Sequence, residues 1–219
     1  GLRGAWSFQP PINRPQKVLC IGRNYKAHAE ELGNKPPQEP LFFSKAPSSI
    51  IAHDETIRVP NGVGRVDFEG ELAIVISKKG SHIPVSKAFE FVAGYSILND
   101  VTARDLQKSD IEARRPWFRS KSFDTFCPFG QFLVSTESIG NYRDLTLQLS
   151  LNGEVRQKAL VSDMIFSIEE IVSYISKFCT LMPGDVIATG TPAGVAPMRA
   201  GDTVEIEVTH IGTLKNAVA

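Results

Sequence analysis

The chain has 219 residues, enough for one domain with a sizeable core but too few for two of ordinary size. Lysine plus arginine (24) equals aspartate plus glutamate (24), so no net field recruits nucleic acid or an acidic membrane surface. The longest apolar runs, such as residues 72–76, fall far short of the roughly 20 residues a bilayer span needs, which leaves a small molecule as the expected partner.

Residues 1–16 read as an N-terminal extension. Gln9, Pro10, Pro11 and Pro15 stand where a secretory signal would carry an apolar core, and no signal is expected. Residues 17–219 read as a single domain. Within it, residues 17–22 (KVLCIG) suit a short buried strand, and residues 24–32 a short helix closed by Gly33. After a proline-rich loop at 35–40, short strands are expected at 41–43, 50–52 and 56–59, followed by a turn at 61–64. Residues 67–76 (DFEGELAIVI) carry acids at every second position and then turn wholly apolar, as in a strand running from a polar rim into a core. Residues 91–98 form a second apolar run that enters Asn99 and Asp100. Thr102 and Asp105 have the spacing of a capping box opening a helix that reaches Arg114, with Pro116 stopping it. The other clear helix is 167–179, where Ile168, Ile171, Val172 and Ile175 recur at helical spacing. Strands are expected at 145–151, 186–188 and 204–208. Because no regular βαβα alternation appears, the predicted class is α+β, mainly β, with a mixed core and peripheral helices. Cys20, Cys127 and Cys179 are odd in number and far apart, which argues for core filler in a reducing, cytoplasmic setting.

Glu69 and Glu71 are two apart, so on a strand both carboxylates project from one face and can share an ion. Asp100 ends another apolar strand, and three acids bordering a core repel one another unless a cation neutralises them. An all-oxygen set suits Mg²⁺ better than zinc, with Mn²⁺ or Ca²⁺ as alternatives. Asp67 shares the face and ranks behind these three. His28 and Glu31 are three apart on a short helix, where the carboxylate can orient the imidazole and the pair can activate a water. Arg104 and Gln107 share a helix face, and with Lys121 they suit an anionic substrate. The turn at 189–195 (TGTPAGV) can offer N–H groups and a hydroxyl to a carboxylate, but it lacks the G-K-[ST] of a nucleotide site. His53, His82 and His210 have no comparable partner and are expected to be structural or on the surface. Each grouping also has an ordinary reading as a solvated face, a surface ion pair or a plain connection, and spacing alone does not choose.

In fixed order the chain carries Gly22-Arg23-Asn24-Tyr25, Phe43-Ser44-Lys45, Glu69-Gly70-Glu71-Leu72, Asn99-Asp100-Val101-Thr102-Ala103-Arg104-Asp105, Lys121-Ser122-Phe123-Asp124 and Thr189-Gly190-Thr191-Pro192-Ala193-Gly194-Val195. From about Lys17 to the C-terminus this series resembles the fumarylacetoacetate hydrolase family. It is most similar to the small members of acylpyruvase, oxaloacetate decarboxylase and hydroxyheptadienedioate isomerase type, which lack the N-terminal domain of the larger ones. The resemblance implies a catalytic domain built as a β-sandwich roll of the fumarylacetoacetate hydrolase C-terminal type, usually a homodimer. It implies Glu69, Glu71 and Asp100 as metal ligands, and His28 with Glu31 as a water-activating pair on a mobile lid. Lys121 is implied as catalytic, and Arg23, Arg104, Gln107 and Thr191 as substrate-binding. A further metal-ligating acid and an upstream histidine of the larger members have no counterpart here, and water would fill that place. The implied reaction is Mg²⁺-dependent hydrolysis of a C–C bond in a small 2,4-dioxo acid of acylpyruvate type, through a metal-bound enolate. Oxaloacetate decarboxylation and 2-hydroxyhepta-2,4-diene-1,7-dioate isomerisation are alternative exits from the same site. A catalytically silent metabolite-binding protein is the alternative of another class.

Overall fold

Every residue of the strand Gly70–Ile76 is buried, and successive side chains of a strand point to opposite faces, so both of its faces must be covered. The computed structural model, which describes residues 7–31, 33 and 35–219, shows how. The strand lies inside a six-stranded sheet in the order Leu41–Lys45, Val18–Gly22, Val186–Ala188, Gly70–Ile76, Val92–Asn99, Val134–Ser135. Val18–Gly22 runs parallel to Val186–Ala188, and the other pairings are antiparallel. Leu72, Ile74 and Ile76 face a main core shared with a second, four-stranded antiparallel sheet through its Leu147, Leu149, Val204 and Ile206. Each such aliphatic side chain contributes about 1.5–3 kcal/mol on full burial. Gly70 sits where the two sheets touch, since a Cβ there would lie 3.1 Å from Leu149 Cδ1. The opposite face carries Cys20, Ala73, Val75, Leu98 and Ala188, packed with Cys127 and Phe129. The fold is therefore α+β and mainly β, a mixed core of two packed sheets with helices outside it.

Cys20 and Cys127 fill the smaller core and Cys179 is half-buried beside the larger one; all three are free thiols. The helix predicted at 167–179 is Ile168–Ser176, opened by a capping box in which Ser167 Oγ accepts from Glu170 N and Glu170 Oε2 accepts from Ser167 N. The described part of the helix predicted at 24–32 is Lys26–Glu31, and Leu32 lies outside the described residues, as do residues 1–6 of the extension. No helix among the described residues is long and apolar enough to cross a membrane.

Three expectations need correction. The strand at 67–76 is two strands, Val66–Asp67 and Gly70–Ile76, because the first pairs with Thr102–Ala103 while the second pairs with Val92–Asn99. Thr102 is consequently in a strand, with its hydroxyl donating to Asp100 O at 2.8 Å, and Asp105 accepts from Arg65 N. The capping box at 102–105 does not form, and the helix Arg104–Glu112 starts from Ala103 without a side-chain cap. Residues 56–59 make no strand; Ile57 forms one isolated parallel bridge to Val218.

Candidate metal centre and active site

The antiparallel register that sets Gly70 opposite Asn99 brings the start of one apolar strand to the end of the other. Two further bonds fix the junction: Glu69 N donates to Asn99 Oδ1 at 2.9 Å, and Asp100 N donates to Glu69 O at 2.8 Å. Glu69, Glu71 and Asp100 therefore converge, all buried, with one carboxylate oxygen from each within 4.8 Å of the others. Glu69 lies just outside the strand that carries Glu71, yet both reach the same point. Asp67 does not join them, being held by Arg65 Nε at 2.7 Å and Arg104 Nε at 2.8 Å.

Three cations surround the acids. Lys45 Nζ donates to Asp100 Oδ1 at 2.6 Å and to Val101 O at 3.1 Å. Lys121 Nζ donates to Glu69 Oε2 at 2.8 Å and to Asp100 Oδ2 at 2.5 Å. Arg104 bonds Glu69 and also donates to Gln107 Oε1 at 2.7 Å. Burial works to raise the Glu69 pKa, but Lys121 and Arg104 outweigh it and hold this carboxyl well below the usual range. Burial likewise works against the Lys121 charge, and Asp100 and Glu69 reverse this, pushing its pKa up to about 12.

Glu71 differs. It accepts from Gly190 N at 2.7 Å and forms no ion pair among the described residues. Burial, then Asp100, then Glu69 push its pKa well above the ordinary value, and Lys121 offsets this only in part. Positive charge is what the cluster lacks at Glu71. A hard divalent cation fits the all-oxygen donor set and supplies that charge.

The histidine reaches the same place from the helix Lys26–Glu31. Asn24, buried just before the helix, donates to Thr189 O at 2.8 Å and accepts from Phe166 N at 2.8 Å, which fixes where the helix starts. His28 Nδ1 is 3.3 Å from Glu31 Oε2, and both Glu31 oxygens accept from Gly194 N, at 3.1 and 3.2 Å. Burial lowers the His28 pKa below its ordinary 6.5 against the opposing pull of Glu69 and Glu31, so the ring is neutral at neutral pH. A carboxylate on Nδ1 favours the Nδ1–H tautomer and leaves Nε2 to accept a proton.

One cavity of about 440 Å³ is lined by Arg23, His28, Glu69, Glu71, Asp100, Arg104, Gln107, Lys121 and Thr191. Glu31 stands behind His28 and does not line it. In the turn at 189–195, two N–H groups go to the protein's own acids, Glu71 and Glu31, and not to an open anion site. Thr191 Oγ1 accepts from Gln157 Nε2 at 2.8 Å, which leaves its own O–H free to donate.

Sequence reasoning assigned no role to Lys45, Asn24, Gln157, Phe43 or Trp117. Lys45 shares a face of Leu41–Lys45 with Phe43 and is buried, its ammonium reaching Asp100. His53 accepts from Lys215 N, while His82 and His210 occupy left-handed positions; none of the three lines the cavity.

Comparison with known proteins adds an independent line. A model described as fumarylacetoacetate (FAA) hydrolase C-terminal matches residues 17–219. Oxaloacetate tautomerase YisK of Bacillus subtilis is 43% identical over 219 residues, spanning 95% of this chain and 71% of that protein. Among solved structures, 5-carboxymethyl-2-hydroxymuconate delta-isomerase from Mycobacterium smegmatis is 43% identical with a TM-score of 0.87, covering 97% of this chain and 81% of that one. Fumarylpyruvate hydrolase from Pseudomonas aeruginosa, in complex with Mn²⁺ and pyruvate, is 36% identical with a TM-score of 0.90, covering 100% of this chain and 94% of that one.

Proposed function

The chain belongs to the fumarylacetoacetate hydrolase family, and from that premise we propose that it is an enzyme that enolises a small 2-oxo acid at a divalent cation held by Glu69, Glu71 and Asp100. The observation that carries the reading is the convergence of three buried carboxylates, one without a cation, on the cavity into which a neutral His28 projects.

A bound Mg²⁺, or Mn²⁺ or Ca²⁺ in its place, supplies Lewis-acid polarisation of the 2-oxo carbonyl. The chain's own groups do the rest. His28 Nε2 takes the proton from C3, next to the carbonyl, while Glu31 on Nδ1 holds the ring and stabilises its charged form. The proton then goes to the 2-oxo oxygen, so keto and enol forms interconvert with nothing consumed. Lys121 stays charged throughout and stabilises the negative charge that develops on that oxygen. Arg104 occupies Gln107 Oε1, which turns the amide N–H groups of Gln107 toward the substrate carboxylate, and the free O–H of Thr191 is a second donor.

Tautomerisation of an oxaloacetate-type acid is the first reading, supported by the 43% identity to an oxaloacetate tautomerase and by a site that needs only one proton carrier. A second reading is hydrolysis of an acylpyruvate. The cavity of about 440 Å³ favours it by leaving room beyond a four-carbon acid, and the His28 and Glu31 pair could equally deprotonate a water. In that case the water oxygen bonds to the distal carbonyl carbon, the adjacent C–C bond breaks, and the proton on His28 returns to C3. The test is absorbance-monitored conversion of oxaloacetate and of acetylpyruvate in chelator-treated buffer with and without Mg²⁺. Acceleration of oxaloacetate tautomerisation that needs Mg²⁺ and is lost in His28→Asn is the expected result. Metal-independent turnover would overturn the reading, and a higher kcat/KM for acetylpyruvate, with pyruvate released, would put hydrolysis first.

A further inference from the structure

The strand Glu154–Leu160 lies at the edge of the four-stranded sheet, and Gln157 is its one fully buried side chain. A shift of register puts it there. Leu149 pairs with Gln157 and Ser150 with Val155, so Arg156 between them has no partner and forms a bulge. A bulge re-aims the side chains beside it, and here the glutamine amide is turned inward to the junction of the two sheets. Gly70 makes the room, because a Cβ there would lie 3.3 Å from Gln157 Oε1.

In that position the amide is fully bonded. Gln157 Oε1 accepts from Gly70 N at 3.0 Å, while Nε2 donates to Pro192 O at 2.7 Å and to Thr191 Oγ1 at 2.8 Å. A backbone N–H can only donate and a backbone C=O can only accept, so Gly70 and Pro192 together allow one orientation of the amide. That orientation presents an N–H, not a lone pair, to Thr191. A hydroxyl that accepts from a fixed donor keeps its own proton for another acceptor, and among the described residues Thr191 Oγ1 makes no second hydrogen bond. Thr191 lines the cavity and Gln157 does not. Two backbone groups outside the cavity thus set the direction of one hydroxyl inside it, through the amide between them.

We propose that Gln157 is a positioning residue for substrate: by holding the Thr191 hydroxyl as a donor, it restricts that point of the cavity to an acceptor such as a carboxylate oxygen, without touching the ligand itself. This rests on the 2-oxo acid reading of the site and adds to it a residue from the second sheet. A glutamine that merely joined the two sheets would affect ligand binding equally whether or not residue 191 carried a hydroxyl.

Calorimetric titration of pyruvate, with Mn²⁺ saturating for each variant, tests this through a double-mutant cycle of Gln157→Met and Thr191→Val. Each single variant should bind pyruvate about tenfold or more weakly than the wild type, as expected for loss of one hydrogen bond to a charged group. The double variant should be less than about threefold weaker than Thr191→Val alone, because no hydroxyl is left to direct. In Thr191→Ser, which keeps the hydroxyl, Gln157→Met should again cost about tenfold. Gln157→Glu keeps the shape and the acceptor for Gly70 N but cannot donate as a carboxylate. Its own cycle with Thr191→Val should show the same coupling, which covers the case of a methionine variant that does not fold. Losses that add in the double variants would place the action of Gln157 elsewhere and overturn the assignment, as would wild-type affinity in the folded Gln157 variants. Failure of the wild type itself to bind pyruvate would overturn the 2-oxo acid reading and the assignment with it.

Discussion

A buried carboxyl group beside two others holds its proton more tightly than an ordinary glutamate, and Glu71, with Gly190 N–H as its hydrogen-bond donor, is such a group. Its folded pKa lies above the ordinary 4.5, so in metal-free protein its contribution to stability is full below that pH and is lost as pH rises through the folded value. Glu71→Gln should remove this slope, leave the metal-free fold as stable as before, and lose more activity than the roughly 10- to 100-fold typical of outer-shell partners. Thermal melts with Mn²⁺ check the cause. At about 100 times Kd the ion stabilises a protein by about 2.7 kcal/mol, which the wild type should show and the variant should not. His28 shifts the other way, and a base must be neutral to act. The acid limb of kcat/KM should therefore fall with an apparent pKa below 6.5, and a limb above that value would remove His28 as the base. The acids were legible in the sequence because Glu69, Glu71 and Asp100 border apolar runs. Lys45 was not, since a lysine at the end of a short strand reads as surface until its neighbour across the fold is known.

The turn at 189–195 holds both halves of the proposed machinery, giving Gly190 N to Glu71 and Gly194 N to Glu31. Gly194 has φ at +102°, and a Cβ there would overlap Arg156 O. Gly194→Ala should cost more than about 1 kcal/mol in urea unfolding and lower kcat by loosening Glu31, whereas an unchanged kcat would show that Glu31 does not depend on the turn. At this scale the sequence was read well where local and tertiary signals agreed, as at Ile168–Ser176, whose capping box and apolar stripe mark the same helix. It misled where they competed. Thr102 and Asp105 have cap spacing, but the strand Val66–Asp67 claims Thr102 as a pairing partner. The strand Glu154–Leu160 was missed because it lies at a sheet edge and exposes nearly every side chain.

Six residues are too few for a helix to stand alone, so Lys26–Glu31 depends on Asn24 behind it and on Gly194 against Glu31. With Mg²⁺ present, oxalate should raise amide-exchange protection over 26–31, and equal protection without ligand would argue against closure of this segment over the cavity. The class of the fold was legible, since strands without βαβα alternation leave few alternatives. The order of strands was not, because it rests on the pairing of Val18 with Val186. That pairing sets a timetable for synthesis. Val186–Ala188 is inserted between Val18–Gly22 and Gly70–Ile76, so the first hairpin cannot join the sheet until most of the chain has left the ribosome. At about 5–20 residues per second the wait is roughly 10 to 30 s, during which an apolar strand edge stays open to other chains. A nascent chain halted at residue 180 should therefore bind no metal and be degraded faster by protease than the same chain released from the ribosome, and protection already present at 180 would show that the hairpin docks without its neighbour. The cell holds this half-made sheet for longer than most small domains take to fold, so newly made protein, not mature protein, is where a chaperone would find it.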